Sequence, residues 1–179
     1  MTLKEMKQRV LSLIEEIDNN HELLTDDVDI QNKINFVIDA KNHELARIKK
    51  IPAIERVDVK EDQEFNLKDD LDNFYKLNSI SGVKYEMFDN FITFKDDGTA
   101  TIKYYKYPKI INAETKDSEY KFETTEDVLE IMPLGIAADL LKNDVSAQYG
   151  QLYANAYKEA LNMLDIKVSN GHIRIVGGI

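Results

Sequence analysis

The chain has 179 residues and no cysteine, which removes disulfide frameworks, thiolate zinc sites, iron–sulfur clusters and thiol nucleophiles together. Its 33 acidic against 23 basic residues leave a formal net charge of −10, too negative for a general duplex-binding face, because neutralising phosphates needs a basic surface. With 43% hydrophobic and 31% charged residues it can bury a core without metal or disulfide, and no apolar run approaches the ~20 residues of a membrane span.

The start, Met1-Thr2-Leu3-Lys4-Glu5, has neither an apolar core nor a small-residue cleavage site. The expectation is a soluble protein made in a cytoplasm without a signal peptide. Residues 2–19 read as an amphipathic helix, with Leu3, Met6, Val10, Leu13, Ile14 and Ile17 at three- and four-residue steps. Thr2 and Glu5 fit a capping box, and Asp18-Asn19-Asn20 ends the element. A second helix is expected at 26–50, capped by Thr25 or Asp26, with Asp27 and Asp29 at its positive end. Its stripe is Ile30, Ile34, Val37, Ile38, Leu45 and Ile48, and Pro52 forbids continuation. Joined by a short turn, the two helices predict an antiparallel hairpin in which each hides the other's apolar face.

Residues 55–75 carry eight acids against three bases, so half of the net charge sits here. They read as an exposed acidic connector with a short helix near 68–76. From 83 to 122 the period shortens to two. Val83, Tyr85 and Met87 alternate with polar residues, and Phe91 to Phe94 and Ala100 to Tyr104 follow. Asp97-Gly98 between the last two predicts a hairpin turn, because Gly tolerates the positive φ such turns demand. Pro108 ends that hairpin, and Tyr120 to Glu123 is a candidate further strand. Thr124-Thr125-Glu126-Asp127 is a helix start, after which Pro133 kinks or restarts a helix running through Leu141. Asn143-Asp144 breaks it, and the clearest helix of the chain follows, with Tyr149, Leu152, Tyr153, Ala156, Tyr157, Ala160, Leu161 and Leu164. Residues 166–179 read as a terminal strand or tail around Asn170-Gly171. The predicted fold is α+β and mainly α. It is a single domain, 1–179, in which helices from 1–52 and 124–165 form a bundle carrying an inserted antiparallel sheet at 83–122.

Motifs for chemistry are sparse. His21, His43 and His172 have no second His at ligand spacing, and His43 reads as solvated. Asp26-Asp27-Val28-Asp29 lacks the Gly and terminal Glu of a calcium loop, as does Asp69-Asp70-x-Asp72. No phosphate loop, dinucleotide fingerprint or nucleophile elbow occurs, and no carboxylate pair is singled out. The expectation is no catalytic residue, no metal and no cofactor. Lys103 to Lys109 interleaves bases with tyrosines, as single-strand or sugar binders do, or as a strand with tyrosines on one face and wetted lysines on the other. Tyr149, Tyr153 and Tyr157, four apart, share one edge of a helix. They are either core rings with surface hydroxyls or an interface, where Tyr is enriched. Ile173, Ile175 and Ile179 form an apolar ending around Gly177-Gly178 that suits addition to a neighbour's sheet edge or a frayed tail. These six residues are the candidate partner interface.

The opening helices, with Glu44-Leu45-Ala46-Arg47-Ile48, and the run Ile131-Met132-Pro133-Leu134-Gly135-Ile136-Ala137-Ala138-Asp139-Leu140-Leu141 followed by spaced tyrosines carry a resemblance. The pattern resembles that of the head–tail adaptor (connector) proteins of tailed bacteriophages. It covers about half the chain. The resemblance implies a non-enzymatic virion protein of the phage neck, forming a dodecameric ring with copies of itself. Its partners would be the portal protein and a downstream tail protein. DNA would pass through without sequence-specific binding, and a negative lumen would let it slide. The competing reading is a monomeric module using Lys103 to Lys109 for carbohydrate or nucleic-acid ends. The two differ in mass in solution and in whether portal and capsid genes lie alongside.

Overall fold

In the computed structural model, which describes residues 1–14, 28–142 and 147–164, helices and antiparallel strands separate into two hydrophobic cores. The fold is α+β, with two three-stranded antiparallel sheets.

Helix α1 (Leu3–Leu13) starts at the expected capping box. The Glu5 N–H donates to Thr2 Oγ1, and the Thr2 N–H donates to the Glu5 carboxylate at 2.7 Å. That backbone bond holds the Glu5 carboxyl below its ordinary range. The remainder of the predicted 2–19 helix lies outside the described residues. Helix α2 (Val28–Ile48) buries Ile34, Ile38 and Leu45. The expected α1–α2 hairpin is not how these helices hide their apolar faces. Each packs instead on α4 (Glu126–Leu141), which also contacts α5 (Ala147–Leu164). The physical reason is that α4 is apolar nearly all round: Val128, Leu129, Met132, Ile136, Ala137 and Ala138 are all buried. A helix of that kind takes the centre and a two-helix pairing cannot compete for it. Pro133 neither ends nor restarts the element; one helix runs through it. Gly135 allows the closest approach, since a Cβ there would stand 2.9 Å from the Tyr157 ring. Leu13, Leu140 and Leu161 lie only partly buried at the margin.

Residues 107–125 clamp this core. The Lys7 ammonium bonds both Asp117 oxygens at 2.8 Å. Ile111 N–H donates to Asp39 Oδ1, and Tyr120 O–H donates to the Lys109 carbonyl while accepting from Asn42. The candidate strand at 120–123 reduces to one isolated bridge, Thr2 to Lys121.

The stretch expected to be an acidic connector is instead folded into sheets. It contains most of β1 (Ile51–Val59), all of β2 (Glu64–Asn66) and α3 (Leu67–Asp70), and the start of β3 (Phe74–Ser81). Val59, Phe65, Leu67 and Leu71 from this stretch are buried. Its acids mask the pattern because β1 and β2 are edge strands, where charge protects open backbone groups. The expected hairpin at Asp97-Gly98 is likewise corrected. Strand β5 (Phe91–Phe94) pairs with β2 and with β4 (Tyr85–Phe88), whereas β6 (Gly98–Lys106) is the centre of the other sheet, between β1 and β3. Asp97-Gly98 therefore carries the chain from one sheet to the other. The tightest glycine position is Gly82, where φ is +101° and a Cβ would lie 2.3 Å from the Thr99 carbonyl oxygen.

Candidate functional site

Helix α5 has two apolar faces. Gly150, Tyr153, Tyr157, Leu161 and Leu164 recur at three- and four-residue steps and turn inward. Tyr149, Leu152, Ala156 and Met163 follow the same spacing one position out of phase and turn to solvent. Tyr149 is 55% exposed, Leu152 63% and Met163 72%, so the second stripe is uncovered along the helix.

The predicted tyrosine ladder divides between those faces. Tyr157 is buried, and its hydroxyl donates to Glu44 Oε1 at 3.1 Å. Lys41 Nζ sits 4.8 Å from its ring centroid and bonds Glu44 at 2.8 Å and Asp139 at 3.1 Å. Burial, reinforced by the Glu44 carboxylate, pushes the Tyr157 hydroxyl far above its ordinary value. Burial alone would lower the Lys41 pKa, but the bonds to Glu44 and Asp139 outweigh it and raise the value. With the phenol and ammonium both held protonated, the cluster ties α2, α4 and α5 together. Tyr153 donates its hydroxyl to the Leu13 carbonyl at 2.7 Å and so ties α5 to the end of α1. Only Tyr149 of the three presents most of its ring to solvent. Ile173, Ile175 and Ile179 lie outside the described residues.

A second open surface lies on the β4–β5 hairpin. All four residues of β4 are exposed, and Phe88 and Phe91 pair across the Asp89-Asn90 turn. Asp89 takes φ +53°, a conformation Asp tolerates in tight turns. This hairpin surface does not stand out in the sequence as an interface, and of the outer α5 stripe only Tyr149 does. The α5 signal is two interleaved helical periods in one segment, which the tyrosines alone do not reveal.

The run Lys103 to Lys109 does not present tyrosines on one face. Tyr104 and Tyr105 are neighbours on a central strand, so their rings point to opposite sides. Tyr104 is buried, Lys106 bonds Glu123 and lies 3.8 Å from Asp72, and Tyr107 packs on Tyr75 with centroids 4.7 Å apart. His43 is half-buried rather than solvated, packed on Tyr107 with its Nε2 3.8 Å from Asp39. Among the described residues no cluster of three His, Asp or Glu is placed to hold a metal ion. An open groove of about 650 Å³ between α1 and the start of α4 is lined by Glu5, Arg9, Ser12, Glu126 and Glu130, and the Ser12 hydroxyl donates to the Arg9 carbonyl rather than to a carboxylate. Among the described residues no helix is long and apolar enough to cross a membrane. No protein-family model matches the chain, and no curated protein matches it.

Proposed function

We infer that this is a non-enzymatic assembly protein of a tailed bacteriophage, a head–tail adaptor that joins a ring on the portal and extends the DNA channel towards the tail. The observation that carries the reading is the outer face of α5. Tyr149, Leu152, Ala156 and Met163 leave a long apolar stripe in water on a helix already anchored by its other face. Exposed apolar patches of this kind mark surfaces that other chains cover. The phage assignment itself rests on the sequence resemblance. In this reading the four longer helices form the ring-building bundle and the paired sheets are an insertion projecting from it. The protein resides in the virion neck, between the portal and a downstream tail protein. The excess of acids keeps the channel lining from binding the passing DNA.

The test is sedimentation velocity of the purified chain mixed with purified portal rings encoded alongside it. Saturable co-sedimentation, with a mass increase corresponding to a complete ring of copies, is expected. A chain that sediments alone at every ratio overturns the adaptor reading.

A further inference from the structure

Among the described residues four sheet edges are available, and three are defended. Strand β1 carries Pro52, Glu55, Arg56 and Asp58; β3 is interrupted by register shifts at Phe74/Lys76 and Leu77/Ser79; β2 has only three residues, one of them Glu64. Proline, charge, irregularity and shortness are the features that stop edge strands from pairing with other chains. Strand β4, Tyr85-Glu86-Met87-Phe88, has no proline, no register shift and one charge.

Its backbone is oriented for pairing. Lys95 N–H donates to the Lys84 carbonyl at 2.9 Å, which fixes the alternation of the β4–β5 ladder. Lys84, Glu86 and Phe88 turn their backbone groups to β5, and Tyr85 and Met87 turn theirs outward. Among the described residues none of the further hydrogen bonds uses the N–H or C=O of Tyr85 or Met87. Their side chains lie opposite buried Phe94 and Ile92, on the face that forms the sheet core, yet remain 38% and 51% exposed. One more strand would satisfy the backbone and complete that face.

The same chain contains a segment of matching pattern. Residues 173–175 read Ile-Arg-Ile against Tyr-Glu-Met of residues 85–87. Resting on the assembly reading, we propose that residues 172–176 of one copy add antiparallel to β4 of a second copy. In that register Ile175 and Ile173 lie opposite Tyr85 and Met87 on the core face. Arg174 falls opposite Glu86 on the other face, and His172 opposite Phe88. Glu86 already lies 3.1 Å from Lys95, but that ammonium is also 3.9 Å from Asp62, so the group keeps a net negative charge for Arg174 to meet. The seven residues between Leu164 and His172 let the segment reach up to about 28 Å from the end of α5 when extended. When each copy gives its tail to a different neighbour, tail to edge is a head-to-tail contact, the kind that builds rings when its rotation closes.

The absence of cysteine makes the test direct. Glu86 would pair with Arg174 at a non-hydrogen-bonded position, where Cα atoms approach to about 4.5 Å, within disulfide range. Chains carrying Glu86→Cys are mixed with chains carrying Arg174→Cys under mild oxidation. A covalent heterodimer should form at least tenfold faster than with Glu114→Cys, an exposed loop control, in place of Arg174→Cys. The double variant should give a ladder of covalent oligomers. Rapid dimerisation of Glu86→Cys alone would mean that β4 pairs with β4 and would overturn the proposal. So would a double variant that closes only within one chain, or a heterodimer no faster than the control. Arg174→Glu should slow assembly, and Glu86→Lys added to it should restore it, which guards against a misfolded cysteine variant. Portal co-sedimentation without the cross-link would leave the adaptor reading intact and refute this contact. The cross-link without portal binding would do the reverse.

Discussion

The core around α4 and the core around β6 exclude water to the same degree but are assembled differently. Met132, Ile136 and Val128 are fully buried on one side of the molecule, and Ile92, Phe94 and Ile102 on the other. The helical core is built from four segments whose internal hydrogen bonds are local, so each element is specified by its own residues. The strand core depends on pairings across the chain, such as Ile51 with Lys106 and Val59 with Gly98. Its order, β1-β6-β3 beside β2-β5-β4, interleaves the sequence. Local periodicity tells which segments are strands; it carries little information on which strand each one meets.

The largest expected effects ask whether these cores stand or fall together. Ile136→Ala and Ile102→Ala should each destabilise by about 2–5 kcal/mol, because both side chains are fully buried. Two bridges between the cores, Lys106 to Glu123 and His43 against Tyr107, predict that both variants lower one shared thermal transition. Two separated transitions in calorimetry would show the cores to be independent. Leu161→Ala, at the partly exposed margin, should cost less than either.

A smaller effect sharpens the helical side. Lys41→Met removes the charge-assisted bonds to Glu44 and Asp139 and should cost about 1.5–3 kcal/mol in denaturant titration. On the sheet side, Gly82→Ala places a Cβ against the Thr99 carbonyl at positive φ and should cost about 1–3 kcal/mol. Gly98→Val should also destabilise, since φ there is +156° and its Cβ would meet the Val83 side chain at 3.0 Å.

On the alkaline side the pH dependence should involve both regions. Lys41 and Lys106 have folded pKa values above the ordinary 10.5; burial opposes the rise, and bonds to Glu44 and Asp139, and to Glu123, outweigh it. Tyr157 and Tyr120 are raised above 10.0 by burial and nearby carboxylates. For all four groups the folded value exceeds the unfolded one. Their stabilisation is therefore fully present below about pH 10 and lost as pH rises through the folded values. Stability measured by urea titration should be level from these groups between about pH 7 and 9.5 and fall above that; a flat profile to pH 12 would remove them from the account.

The sequence made the α1 capping box legible because Thr2 and Glu5 act within one turn. It made α5 legible because its apolar spacing is strong, and the start of α4 legible because Thr125, Glu126 and Asp127 form a helix start. It hid α4's central place, since an all-round apolar helix has no stripe to read. It hid β1 and β2 beneath acids that sit on sheet edges for a physical reason of their own. Of the tyrosine ladder, spacing correctly put three rings on one helix. It could not tell that Tyr157 and Tyr153 find partners in Glu44 and Leu13 while Tyr149 does not turn inward. The outer stripe needed the inner one to be identified first.

The smallest expected change in stability belongs to that outer stripe, and it tests the central claim most directly. Leu152→Asp with Met163→Asp alters two exposed side chains and should shift unfolding free energy by no more than about 0.5 kcal/mol. Sedimentation of this variant with portal rings, beside the unaltered chain, is the decisive measurement. The account predicts that the unaltered chain joins the ring and that the variant, equally folded by circular dichroism, stays free. A variant that joins the ring as well as its parent would contradict it.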